Sequence, residues 1–155
     1  MYTEDQVVFE QMLALGIVFT VIMIIWGIAA YLLSAFALHR MAKNQGLEDA
    51  YFAFIPILNC KTWGDLVESK MPDYLRPETG WKVLGIFVAC FILNFIPIVN
   101  FISSIVSLIL AIWIMYLLLE RYTTNSVLFT VIHLITGSLF FPLHLFLIRK
   151  NEPRF

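Results

Sequence analysis

His133 and His144 are the residues of this chain best suited to chemistry. Both lie in 122–148, a stretch without Asp, Glu, Lys or Arg. Eleven residues make about three helical turns, so on one continuous helix the two rings share a stripe, about 16 Å apart along the axis. An ionisable group inside an apolar span is a candidate for function, here a proton path or a ligand site. Haem ligation would need histidines facing from other helices, and the third, His39, falls near a membrane surface. The plainer reading ranks first: each imidazole bonds to a neighbouring helix or sits at the interface.

Other groups offer less. Asp65, Glu68 and Asp73 could hold a divalent cation as a carboxylate set. Lys61, Lys70 and Arg76 interleave with them, which favours a solvated face of mixed charge. Cys60 and Cys90 lack a CxxC spacing and read as small, buried, inert thiols. No HExxH, GxSxG or GxxxxGK[ST] is present. No catalytic set, metal or cofactor is therefore implied. The net charge of −1 gives no basic field for nucleic acid.

The elements that position these residues are set by composition. The chain has 155 residues, of which 61% are hydrophobic and 14% charged, well above and below the balance of soluble domains. Charge-free stretches at 11–38, 83–119 and 122–148 each exceed the ~20 residues a helix needs to cross a bilayer. Alternating segments of a transmembrane barrel are missing. The expectation is one all-α integral membrane domain over 1–155. It has about four membrane-embedded helices (approximately 11–38, 81–97, 100–120 and 126–148) and an amphipathic interfacial helix in 47–71 on the cytoplasmic side.

The first helix has an acidic flank (Glu4, Asp5, Glu10) and an apolar run too long for a secretory signal. Thr3 to Gln6 fits a capping box that starts it, and Gly46 suits its end. It is longer than a bilayer is thick, so it should project or tilt. In 60–71, Cys60, Trp63, Leu66, Val67 and Met71 fall on one face, with Lys61, Asp65 and Glu68 opposite. That pattern predicts an interfacial helix anchored by Trp63, or a helix packed on the spans. Residues 72–80 are turn chemistry. The last helix, 126–148, contains Gly137 and a kinking Pro142.

One cassette occurs twice, FIPILN at 54–59 and FIPIVN at 95–100. Proline lacks an amide N–H and disfavours helix at the residue before it. Asparagine is a good N-cap. Each cassette thus reads as a break and a restart, with Asn59 and Asn100 as caps that double as candidate binding residues. Asn94 and Asn100 flank Pro97 and could line a polar spot. Ser103, Ser107 and Ala111 form a small-residue stripe, a candidate interface with a partner or with Ala30 and Ser34 of the first helix.

Six of the ten Lys and Arg residues lie in 40–82 and none precedes Arg40. The positive-inside rule puts 40–82 in the cytoplasm and the N-terminus outside. Four spans place the tail outside, against the sign of Arg149, Lys150 and Arg154; three spans place it inside. The length of 83–119 favours four.

The order of these features resembles an uncharacterised family of small bacterial multi-span membrane proteins with two IPxxN motifs. The matching elements are Lys43-Asn44-Gln45-Gly46, Tyr51 to Asn59, Ile96-Pro97-Ile98-Val99-Asn100 and Arg121-Tyr122-Thr123, within residues 35–145. Tyr51 or Phe52 stands where the family has tryptophan, and the Phe-Gly-Lys turn is only loosely echoed at 121–126. The resemblance implies the bacterial cytoplasmic membrane and no known activity. The expected role is a non-enzymatic accessory subunit binding a larger membrane protein or itself within the lipid bilayer. A small oligomeric channel or transporter ranks second, and an intramembrane enzyme third.

Overall fold

A helix pairs its backbone groups within one segment, and the long apolar stretches form helices. The computed structural model describes residues 4–155, and no strand occurs among them. Thr3, the expected cap, lies outside the described residues. Six α-helices follow one another: α1 (Glu4–Asn44), α2 (Asn59–Val67), α3 (Thr79–Leu93), α4 (Val99–Tyr122), α5 (Ser126–Ile135) and α6 (Phe141–Ile148). Short 3-10 turns at Ala50–Phe54 and Glu68–Lys70 flank α2. Two helices, α1 and α4, are long and apolar enough to cross a membrane.

Helix α1 spans about 60 Å at 1.5 Å per residue. Its first half, from Val7 to Ile25, is exposed throughout, whereas Ala35, Ala37, Leu38, Met41 and Ala42 are buried. The buried half packs on α6 and on the 50–54 turn. That turn runs back along α1: His39 Nδ1 lies 3.0 Å from the Ala50 carbonyl, and the Tyr31 hydroxyl donates to Phe54 at 2.7 Å. The first cassette then reverses the chain. Ile55 is extended (φ −103°, ψ 117°), as a residue before proline should be, and α2 returns. The second cassette reverses the chain in the same way between α3 and α4. In both copies the asparagine amide donates to the isoleucine carbonyl ahead of the proline, at 2.8 Å from Asn59 and 2.9 Å from Asn100.

The cassettes are therefore turns of helical hairpins, but their asparagines are not caps. Asn59 opens α2 and Asn100 lies inside α4, and neither helix has a side-chain cap bond. The helix simply resumes through backbone bonds of the turn.

Two further expectations are corrected. The helix expected over 126–148 is two helices folded against each other. At the end of α5 the Ser138 amide donates to the His133 carbonyl (2.6 Å) and the Gly137 amide to Leu134 (3.3 Å), with Gly137 at φ +59°. This is a Schellman closure, and α6 restarts with Pro142 in its first turn. At about 15 and 12 Å, α5 and α6 are each too short to cross. The chain after them returns to its starting level: Asn151 Nδ2 donates to the Tyr122 carbonyl and the Arg154 amide to that of Arg121.

Helix α2 is also not an interfacial helix with a lipid-facing side. Leu66, Val67 and Met71 are fully buried in the core, and Trp63 stacks on Phe141 with ring centroids 5.5 Å apart. Its polar side is covered by α3, whose first amides it caps: Gly80 donates to Asp65 (3.1 Å) and Thr79 to Glu68 (3.3 Å).

The core sits at one end of the molecule, formed by Leu38, Met41, Leu66, Met71, Leu118 and Leu145 with their neighbours. Polar bonds tie the same end together. Gln45 donates to the Tyr122 hydroxyl (2.6 Å), and Arg121 donates to the Leu66 carbonyl. All ten Lys and Arg residues lie in these joined segments, 40–82, 121 and 149–154.

Candidate functional site

The reversal at Gly137 does what a straight helix could not: it brings His133 and His144 into contact. His133 Nε2 lies 2.8 Å from His144 Nδ1, a hydrogen bond between two imidazoles. Helix α5 is packed on α4 and α6 on α1, so the pair is held by a hairpin braced on both sides. Aromatic rings enclose it, with Phe129 4.4 Å from the His144 ring and Phe141 edge-on to His133 at 5.1 Å. His133 is 3% exposed, and its Nδ1 is buried without a hydrogen-bond partner. A neutral imidazole has one donor and one acceptor nitrogen. With His133 Nε2–H as donor, its Nδ1 is a bare lone pair. The opposite assignment would bury an unpaired N–H. The first arrangement costs less, since a buried donor without acceptor loses a full hydrogen bond. One N–H thus joins the two rings. Among the described residues no cluster of three His, Cys, Asp or Glu could hold a metal ion.

The other expected site residues lie elsewhere. Asn59 and Asn100 stand at the turns of two separate hairpins, and neither hydrogen-bonds to a histidine. The Ser103–Ser107–Ala111 stripe faces α3. Ser103 is buried, with its hydroxyl 3.2 Å from Asn94 Oδ1; Ser104 donates to the same oxygen at 2.9 Å. Asn94 Nδ2 donates to the Cys90 carbonyl at 2.9 Å. The polar spot beside Pro97 thus exists, centred on Asn94 rather than Asn100. Ser107 and Ala111 continue the stripe along a groove that they share with Phe87 and Cys90. Ala30 and Ser34 are half-buried on α1, the helix lined by α6 and the 50–54 turn.

The expected solvated face holds at Lys70, Asp73 and Arg76, which are exposed, but Lys61 and Asp65 belong to a buried ion network. Lys61 is 7% exposed and donates to Asp49 and to Asp65, the latter at 2.6 Å. Its ammonium also lies 5.3 Å from the Trp81 ring centroid and 5.7 Å from that of Phe52. Burial pulls the Lys61 ammonium towards neutrality, but the two carboxylates outweigh it and hold its pKa above the ordinary value. The network joins the 50–54 turn, α2 and α3. The i, i+4 spacing of Lys61 and Asp65 was the available signal; burial of both faces of α2 was not visible in its amphipathic pattern.

No protein-family model, curated protein or solved structure matches this chain.

Proposed function

We propose that the chain is a multi-pass protein of the bacterial cytoplasmic membrane and acts as a non-enzymatic accessory subunit. It binds a larger membrane protein or a second copy of itself through the first half of α1. The observation that carries this reading is the exposure of α1 from Val7 to Ile25 beyond a bundle that grips its other half. Helix pairing in lipid relies on close packing at small residues. Gly16 and Thr20 stand at i, i+4 on the exposed half, and a Cβ at Gly16 would meet open space. Orientation follows from charge: all ten basic residues share one end, which faces the cytoplasm. The tail is then inside, α1 crosses, α3 and α4 form one hairpin, and α5–α6 enters and leaves on the same side.

The test is cross-linking in native membranes, followed by mass determination in mild detergent. A discrete homo-oligomer or a stoichiometric complex is expected. Gly16→Leu with Thr20→Leu should abolish it while leaving helicity unchanged. A chain that is monomeric and uncross-linked in its own membrane refutes the reading.

The histidine pair, with His133 buried and His144 half-buried, favours a second reading, a proton-coupled transporter or channel. Broken helices near mid-membrane are a common way to build such sites. Proton flux in liposomes that His144→Leu removes would select it.

A further inference from the structure

We propose that the seam between α3 and α4 holds one acyl chain of a membrane lipid from the leaflet opposite the basic end. Two cavities on this seam, of about 230 and 520 Å³, adjoin each other at Phe87 and Ala111, which line both, and we read them as one groove. The inner cavity ends at Trp63 and Phe141. The outer one ends at Asn94 and Ser104 beside the α3–α4 turn. Ala111, the smallest of the shared lining residues, stands at their junction.

Three features select an acyl chain as the occupant. First, the groove runs along α4 from Ser104 to Met115, about 16 Å at 1.5 Å per residue. Half of a hydrocarbon core about 30 Å thick is nearly the same length. Second, the inner cavity lies between α2, α3, α4 and α6, and a helix about 10 Å wide cannot enter 230 Å³. Third, polarity is ordered along the groove. Asn94 and Ser104 provide neutral polar atoms at the open end, and aromatic rings close the other. Asn94 Nδ2 has a second N–H beyond its bond to Cys90, to which an ester carbonyl can bond, and a methylene chain fits the aromatic end. Lipid tails gain little from a shallow stripe on a helix surface, but a groove between helices replaces voids with contacts.

The inference rests on the membrane embedding proposed above, and its test separates the two. A variant keeping Trp63 as the sole tryptophan (Trp26, Trp81 and Trp113→Phe) is reconstituted in phosphatidylcholine vesicles with acyl chains brominated near their ends. Bromine quenches indole emission on contact. Emission at Trp63 should fall at least twofold relative to unbrominated vesicles, and Ala111→Phe should restore most of it. Ser107→Phe, in the outer groove, serves the same purpose if Ala111→Phe fails to fold. A second variant keeps only Trp26 on α1. Quenching at Trp26 with none at Trp63 overturns the groove and leaves the embedding intact. Quenching at neither overturns the embedding and the groove with it. Quenching at Trp63 that survives the phenylalanine variants shows another route for lipid and overturns the proposal.

Discussion

Gly64 and Gly80 bring α2 and α3 together backbone to backbone: a Cβ on Gly64 would stand 2.7 Å from the Gly80 Cα. Nothing flexible lies in the way, so the helices themselves must part. Their separation would pull Gly80 from Asp65 and Thr79 from Glu68, the bonds that start α3. Gly64→Ala should therefore destabilise the bundle by about 1–3 kcal/mol, the usual cost of overpacking. Gly16→Ala is the contrast, since open space surrounds it and alanine gains about 0.5–1 kcal/mol in a helix. Thermal unfolding in detergent should move in opposite directions for the two variants.

The histidine pair should behave as a unit. Removing one partner leaves the other imidazole buried among Phe129 and Phe141 without its bond. His144→Leu alone should cost about 1–3 kcal/mol, the penalty of an unsatisfied buried polar group. Adding His133→Phe removes that group, so the double variant should lose less than the two single variants combined. Denaturant unfolding of all four proteins measures the coupling. Strict additivity would show that the 2.8 Å contact contributes nothing.

Much of the helical pattern was legible because apolar length and charge are local properties. The break at each Ile-Pro, the restart of α4 and the long first helix all follow from residues within a few positions. The contents of 126–148 were harder to read because one pattern serves two structures. Gly137 and Pro142 fit one helix with a kink at the proline, but Gly at C′ followed by Pro at a new first turn is also the signature of two helices. The same ambiguity hid the histidine contact, which exists only once the chain reverses. Helix α2 departs from its sequence pattern for a different reason. An amphipathic pattern records which side chains are polar, but not what covers them, and Lys61 is covered by Asp49 and Trp81 from elsewhere in the chain.

Lys61 gives a prediction with a defined sign. Its folded-state pKa is raised above 10.5, so its stabilisation is fully present below that value and is lost as pH rises through the folded pKa. Wild-type stability should decline in this alkaline range, and Lys61→Met should lack that component. At neutral pH, Lys61→Met leaves Asp65 buried without its cation and should cost about 3–5 kcal/mol. Replacing Asp49 and Asp65 by Asn in the same protein should recover much of the loss. Unfolding curves between neutral and strongly alkaline pH test both points.

The sidedness of the tail tests the hairpin and the orientation together. In a background with Cys60 and Cys90 replaced by alanine, single cysteines are placed at Ser69 and at Glu152. Both positions belong to the end held together by Arg121: Ser69 Oγ lies 3.5 Å from the guanidinium, and the Arg154 amide donates to the Arg121 carbonyl. They must therefore face the same side of a membrane. With the basic end inside, an impermeant maleimide should label neither in intact cells and both after permeabilisation. A cysteine at Val8, on the far end of α1, should label from outside. Labelling of Glu152→Cys but not Ser69→Cys in intact cells would mean that 126–148 crosses as one helix, which the fold at Gly137 forbids. Labelling of both from outside, with Val8→Cys protected, would keep the fold and invert its orientation, against the positive-inside rule.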